Sequence, residues 1–195
     1  MDLIVLIIAS TWYILPAYIA DMTPAFLHGW GPIDQGKNWK WDGRRILGDG
    51  KSIRGSLGGI LTGAVVGLVL WFLLEQEMIM DAMKDFLTSD LITGDLMVDY
   101  TLRGFLLGFG TILGDVSGSF IKRRLNFTRG VNAIGLDQLG FLIAALIVTL
   151  PFYPAPWEFI VVWILVAGLG QPLFHEIGKI LGVKPIGDDK PKISQ

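Results

Sequence analysis

Ser56-Leu57-Gly58-Gly59-Ile60-Leu61-Thr62-Gly63-Ala64-Val65-Val66-Gly67-Leu68-Val69-Leu70-Trp71-Phe72-Leu73-Leu74 carries no charged residue. Crossing the hydrocarbon core of a bilayer takes about 20 largely apolar residues in a helix, so this stretch reads as a membrane span. Gly55, Gly59, Gly63 and Gly67 recur every fourth residue along it and share one helix face. Lipid gives helices no hydrophobic reason to associate, and small residues let two backbones approach closely. The same spacing returns at Gly110, Gly114 and Gly118. These faces are expected to pack helices, within the chain or across a homodimer, with room for a substrate or lipid tail as the alternative.

Four further spans lie around this one: Leu3 to Ala20, interrupted by Pro16; Leu102 to about Ile121, with Arg103 near its start and Asp115 inside; Leu139 to Phe152, which reaches full length only by starting near Leu136; and Trp157 to Phe174. The expectation is an all-α integral membrane protein of about five transmembrane helices, one domain over 1–195, with cytoplasmic loops near 25–55 and 122–136. Composition agrees: 52% of the 195 residues are hydrophobic and 17% charged, against about 25% charged in soluble domains. With no cysteine in the chain, disulfides, thiolate metal sites and a cysteine nucleophile are excluded, and two distant histidines, His28 and His175, make a histidine-rich zinc site a poor reading. A net charge of −2 steers no partner, and no nucleic-acid partner is expected. Met1-Asp2 lacks a positive n-region, so no signal peptide is expected, and Asp188 to Gln195 reads as a frayed tail.

Basic residues orient the spans. Lys37, Lys40, Arg44, Arg45, Lys51 and Arg54 fall between the first two spans, Lys122, Arg123, Arg124 and Arg129 between the third and fourth, and Lys179, Lys184, Lys190 and Lys192 in the tail. In a five-span topology all three groups share one side, and the other side keeps only Lys84 and Arg103 of the 16 basic residues. The positive-inside rule then places the N-terminus outside and the C-terminus in the cytoplasm. The segment from Glu75 to Tyr100, with Ile79, Met83, Phe86 and Leu87, suits a short amphipathic helix at the outer interface.

The chemistry-bearing residues gather on the basic side. Asp115, in Gly114-Asp115-Val116-Ser117, is costly inside a span unless it pairs, meets water or binds a cation. Asp137 opens the next span, and two carboxylates at neighbouring helix mouths can share Mg²⁺. Its plainer role is a first-turn acid on that helix. Lys122-Arg123-Arg124 is an anion site or an ordinary positive-inside anchor. The first loop, Asp42 to Gly55, is a flexible basic segment whose backbone N–H groups can approach phosphates, and it adds Asp42 and Asp49. Its Gly50-Lys51-Ser52 matches only the end of a P-loop: Arg45 stands where that motif needs glycine. Pro16 to Pro24 brackets a turn closing the first span, either a helix terminator or one wall of a pocket.

Four segments, in this order, resemble the CDP-archaeol synthases, archaeal CTP-dependent cytidylyltransferases related to the phosphatidate cytidylyltransferases: Pro16-Ala17-Tyr18-Ile19-Ala20-Asp21-Met22-Thr23-Pro24, Gly48-Asp49-Gly50-Lys51-Ser52-Ile53-Arg54-Gly55, Gly114-Asp115-Val116-Ser117-Gly118-Ser119-Phe120-Ile121-Lys122-Arg123-Arg124, and Asp137-Gln138-Leu139-Gly140-Phe141. The resemblance implies transfer of a cytidylyl group from CTP to 2,3-bis-O-geranylgeranylglycerol 1-phosphate, an isoprenoid ether-lipid phosphate, at the cytoplasmic face of the cell membrane. It implies Asp115 and Asp137 as Mg²⁺ ligands, with Lys122 and Arg123 beside them in catalysis. Asp49, Gly50, Lys51, Arg54, Ser119 and Arg124 are implied as CTP-binding residues. The chain departs from the family pattern at Gly140, where an acidic residue is expected, and at Asp21, where asparagine is expected. Two rivals fit less well. A CDP-alcohol phosphotransferase needs an Ala-Arg and downstream acids that Asp42-Gly43-Arg44-Arg45 lacks. A small transporter or channel subunit would be supported by inverted repeats, and five spans do not divide into equal halves.

Overall fold

The computed structural model describes residues 2–27, 29–76, 92–125 and 136–166, with 136–138 described by their backbone alone. The helices are α1 (Leu3–Phe26), α2 (Ile53–Glu75), α3 (Leu96–Arg124), α4 (Leu136–Thr149) and α5 (Trp157–Val166). No strand occurs among the described residues beyond two isolated bridges. The expected amphipathic segment around Ile79 to Leu87, the two histidines, Arg129 and the basic tail lie outside the described residues.

The first three helices are long and apolar enough to cross a membrane. At 1.5 Å per residue the 29 residues of α3 extend about 43 Å, more than the roughly 30 Å of hydrocarbon. Its basic end therefore projects beyond the apolar layer. On α2, Leu57, Leu61, Val65, Val69 and Phe72 are exposed along one face, the face for lipid, while Gly55, Gly59, Gly63 and Gly67 are buried on the other.

The glycine faces pack inside one chain. A Cβ at Gly63 would stand 2.5 Å from the Gly104 carbonyl oxygen and 2.8 Å from the Gly108 Cα, so α2 and α3 meet backbone to backbone. A Cβ at Gly59 would stand 2.9 Å from the Ala20 carbonyl oxygen and 2.6 Å from the Ile112 Cδ1. The second set divides. Gly110 and Gly114 pack on α4 at Ala145 and at Gly140-Phe141, whereas a Cβ on Gly118 would meet nothing within 4 Å among the described residues. Apart from Gly118, the glycines of both sets pack within the chain.

Pro16 and Pro24 both lie inside α1, so the expected turn between them is corrected to continuous helix. A proline in a span forfeits one backbone bond, here those to the carbonyls of Trp12 and Ala20; separately, Thr23 Oγ1 donates to the Ile19 carbonyl at 2.8 Å. α5 is tied to α1 by Trp163 Nε1, which donates to the Ser10 carbonyl at 2.8 Å.

Candidate active site

The segment from Gly29 to Ser52 folds over the projecting end of α3. The expected flexibility is corrected: two antiparallel bridges, Pro32 with Ser52 and Asn38 with Arg45, give it a defined shape. Ile33 N–H donates to the Lys51 carbonyl at 2.8 Å and Ile46 N–H to the Lys37 carbonyl at 3.1 Å. Ser52 then starts α2: its hydroxyl accepts from Gly55 N–H at 3.1 Å, an N-cap, and from Gly29 N–H at 3.3 Å.

Arginines fasten this segment to α3. Arg123 Nε donates to the Leu47 carbonyl at 3.1 Å. Arg124 Nη2 donates to the Arg45 carbonyl at 2.6 Å, and Arg44 Nη1 returns a bond to the Arg124 carbonyl at 2.7 Å. The Arg124 guanidinium lies over the Phe120 ring at 4.8 Å, and Trp39 packs edge-on against Phe120. Gly48, at φ +110°, sits where a Cβ would come within 3.3 Å of Arg123 Nη2, so this close approach needs glycine.

The docked segment delivers Lys51 to Asp115. Lys51 Nζ donates to Asp115 Oδ1, with side-chain exposures of 23% and 28%. This pair is neither sealed nor free in solvent, which is what a reacting charge needs. Asp115, Ser119 and Lys122 stand at i, i+4 and i+7 on α3, hence on one face. Ser119 is buried and Lys122 half-buried. A Cβ on Gly118 or Gly50 would meet nothing within 4 Å among the described residues, although Gly118 itself is buried. Arg54 is exposed at the start of α2.

Asp137 belongs to this neighbourhood by its backbone. α3 and α4 touch where Gly114 meets Gly140, and Asp137 lies three residues before Gly140, about 4.5 Å along the axis. The Asp137 side chain lies outside the described residues. Among the described residues no group of three His, Asp or Glu gathers to hold a metal. Mg²⁺ asks for less, because it is usually held by one or two carboxylates with water and substrate phosphates completing the shell. A half-exposed carboxylate, with a second acid starting the adjacent helix, fits that demand.

The first-loop carboxylates are committed elsewhere. Asp49, 53% exposed, pairs with Arg45 Nη2 at 2.6 Å. Asp42 accepts from Arg44 N–H at 3.0 Å and lies 3.2 Å from Arg124 Nε. The backbone donors are also partly taken, since Leu47 and Gly48 give their N–H groups to Asp34. Burial alone would raise the Asp34 carboxyl, but Arg45 and the N–H groups of Gly48, Leu47 and Gly36 hold it well below the usual carboxylate range. Sequence reading missed Asp34; its one local signal is Asp34-Gln35-Gly36, an Asx turn closed by Gly36 N–H at 3.1 Å. Tyr18, known only as part of the proline-bracketed segment, is half-buried, packs its ring on Phe141, and has no hydroxyl partner among the described residues.

Comparison with known proteins follows the same lines. A family model described as CarS-like, CDP-archaeol synthase, matches residues 3–186. A CDP-archaeol synthase of Pyrococcus horikoshii is 43% identical over 178 residues, 91% of this chain and 92% of that protein. One of Methanocaldococcus jannaschii is 40% identical over 181 residues, 93% of this chain and 97% of the other. A solved structure, described as that of an intramembrane enzyme for archaeal membrane lipids biosynthesis, superposes with a TM-score of 0.62 at 31% identity, covering 87% of this chain and 92% of its own.

Proposed function

The chain belongs to the CDP-archaeol synthase family, and on that premise we propose that the Lys51–Asp115 pair marks the place where CTP meets the lipid phosphate. The protein is a multi-pass membrane enzyme, a CTP-dependent cytidylyltransferase. It transfers a cytidylyl group from CTP to 2,3-bis-O-geranylgeranylglycerol 1-phosphate, giving CDP-archaeol and pyrophosphate in archaeal phospholipid synthesis. The transporter reading is not favoured.

The positive-inside rule supports placing the site at the cytoplasmic face of the cell membrane, with the N-terminus outside, because Lys37 to Arg54 and Lys122 to Arg124 share the site's end. There CTP arrives from water and the lipid phosphate from the bilayer surface.

The lipid phosphate is already an anion at neutral pH, so the attacking oxygen needs no base. The difficulty is bringing one anion onto another. A lipid phosphate oxygen forms a bond to the α-phosphorus of CTP; the bond from that phosphorus to the bridging oxygen breaks, and pyrophosphate leaves with the electron pair. Asp115 and Asp137 would hold Mg²⁺, which supplies charge neutralisation on the triphosphate and Lewis-acid activation at the α-phosphorus. Lys51 and Lys122 neutralise the charge that grows on the departing pyrophosphate. Ser119 Oγ and Gly50 N–H donate to phosphate oxygens, and Arg54 adds a cation at the rim. Arg123 and Arg124 act twice, as anchors of the loop and as part of the positive field. Catalysis of this kind is positioning plus electrostatics.

One observation carries the assignment: a lysine on the glycine-rich loop and an aspartate inside α3 are paired at a half-exposed position. The test is pyrophosphate release by protein purified in detergent, with CTP, Mg²⁺ and geranylgeranylglyceryl phosphate omitted in turn and with ATP and GTP as controls. Release that needs all three and prefers CTP supports the reading. Release without Mg²⁺ or with any nucleotide sinks the metal or the nucleotide assignment respectively.

A further inference from the structure

We propose that Asp34 is the positioning residue for CTP: it holds the turn from Leu47 to Lys51 in the shape that presents Lys51 to the nucleotide's phosphates. The inference rests on the reading that this turn meets the triphosphate.

The Asp34 side chain has no solvent exposure. Burying an ionised carboxylate is costly unless its lone pairs are filled, and five donors fill them. Oδ1 accepts from Gly36 N–H and Arg45 Nη2, each at 3.1 Å. Oδ2 accepts from Arg45 Nε at 3.1 Å, Leu47 N–H at 2.9 Å and Gly48 N–H at 3.0 Å. None of these donors belongs to a helix, so the carboxylate does the work that secondary structure does elsewhere.

The bonds converge on one short turn. Its start, Leu47-Gly48, is gripped by the Asp34 side chain. Its end, Lys51, is held through its carbonyl by N–H of the adjacent Ile33. Lys51 N–H closes the turn on the Gly48 carbonyl at 3.3 Å. Both ends are thus tied to Ile33-Asp34, and what emerges is the Lys51 side chain, directed at Asp115. A second path runs through Arg45. Its guanidinium lies between Asp34 and Asp49, so it neutralises the exposed carboxylate of the turn, which would otherwise repel a triphosphate. Arg123 and Arg124 dock this assembly on α3, Arg123 at the Leu47 carbonyl of the turn itself. Asp34 contacts neither Lys51 Nζ nor Asp115, and it acts through the residues that it holds.

Asp34→Asn is nearly isosteric, but its amide turns a donor toward backbone donors and removes the charge facing Arg45. The variant is expected to raise the KM for CTP about tenfold, the loss of about 1.4 kcal/mol of binding, with the KM for the lipid phosphate unchanged within about twofold. A second reading needs no turnover. Thermal melting in detergent with CTP and Mg²⁺ is expected to lose the upward shift seen in the wild type, while melting without ligand stays close, because the spans and not this loop dominate it. Asp34→Glu, which keeps the carboxylate on a longer arm, should recover part of the CTP response, and Asp34→Ala none. Wild-type CTP response in folded Asp34→Asn overturns the proposal. So does a variant that fails to give a folded, monodisperse protein, or one in which both KM values rise together, since Asp34 would then serve the fold at large. Lys51→Ala is measured alongside: an unchanged CTP response there means that the turn does not meet the phosphates, and the placement of CTP fails before the role of Asp34 is reached.

Discussion

At one end α3 carries Asp99 and Arg103, one turn apart; toward the other it carries Asp115, with Lys51 reaching across to it. Each end brings an acid and a base into an apolar setting, yet they are finished differently. Asp99 is 2% exposed and accepts from Ile92 N–H, from Thr93 N–H and Oγ1, and from Tyr153 Oη. Arg103 is 7% exposed and lies over the rings of Tyr13 and Tyr100 at 4.7 and 4.2 Å. Both side chains are buried, and Tyr13 Oη ties the cluster to α1 by donating to the Tyr153 carbonyl. Asp115 has Lys51 as its donor among the described residues and is more than a quarter exposed. Saturated burial leaves a charge nothing to do but hold structure, whereas partial satisfaction leaves lone pairs for a ligand.

The comparison breaks if the wrong end proves catalytic. Asp115→Asn and Lys122→Ala should each abolish turnover, a loss of about a thousandfold or more, in protein that still elutes as a folded species. Near-wild-type pyrophosphate release from folded Asp115→Asn would sink the metal assignment. Asp99→Ala should do the reverse: it costs about 3 kcal/mol of stability by stranding the Tyr153 hydroxyl and the N–H groups of Ile92 and Thr93, seen as a lower melting temperature in detergent, with kcat of the folded fraction unchanged. A kcat that falls with no change in melting would move Asp99 into the chemistry.

Three smaller effects sharpen the contrast between packing and site. Gly63→Ala forces a methyl group against the Gly104 carbonyl and Gly108 Cα and should cost about 2 kcal/mol. Gly118→Ala, which meets nothing among the described residues, should melt like the wild type; a raised KM for either substrate would show that its space is used. Ser52→Ala removes the α2 N-cap and should cost about 1 kcal/mol, readable as a small shift in melting temperature.

Much of this molecule is legible from residue order. The spans around Gly63 and Gly108 follow from apolar length, because a backbone in lipid must satisfy itself and a helix is the local way to do so. The four-residue glycine spacing announces close helix contacts for the same reason. Asp115 and the Lys122-Arg123-Arg124 run stand out as charges at a span's end, where charge is costly. Local pattern also misled: Pro16 and Pro24 read as turn boundaries, yet tertiary packing keeps both inside one helix.

Which partner each charge takes was not readable, because those partners lie far apart in the chain. Lys51 meets Asp115 across 64 positions, Arg123 meets Leu47 across 76 and Arg124 meets Arg45 across 79. Asp34 looked like one polar residue in a loop until folding brought the N–H groups of Leu47 and Gly48 to it. The sequence by itself determined that the chain is helical, membrane-embedded and basic at one end, since burial in lipid and the cost of charge there act on each segment separately. Only the tertiary structure decided which glycines pack, which carboxylates are spent on arginines and which one meets Lys51, because those outcomes depend on distances between segments that no local preference sets.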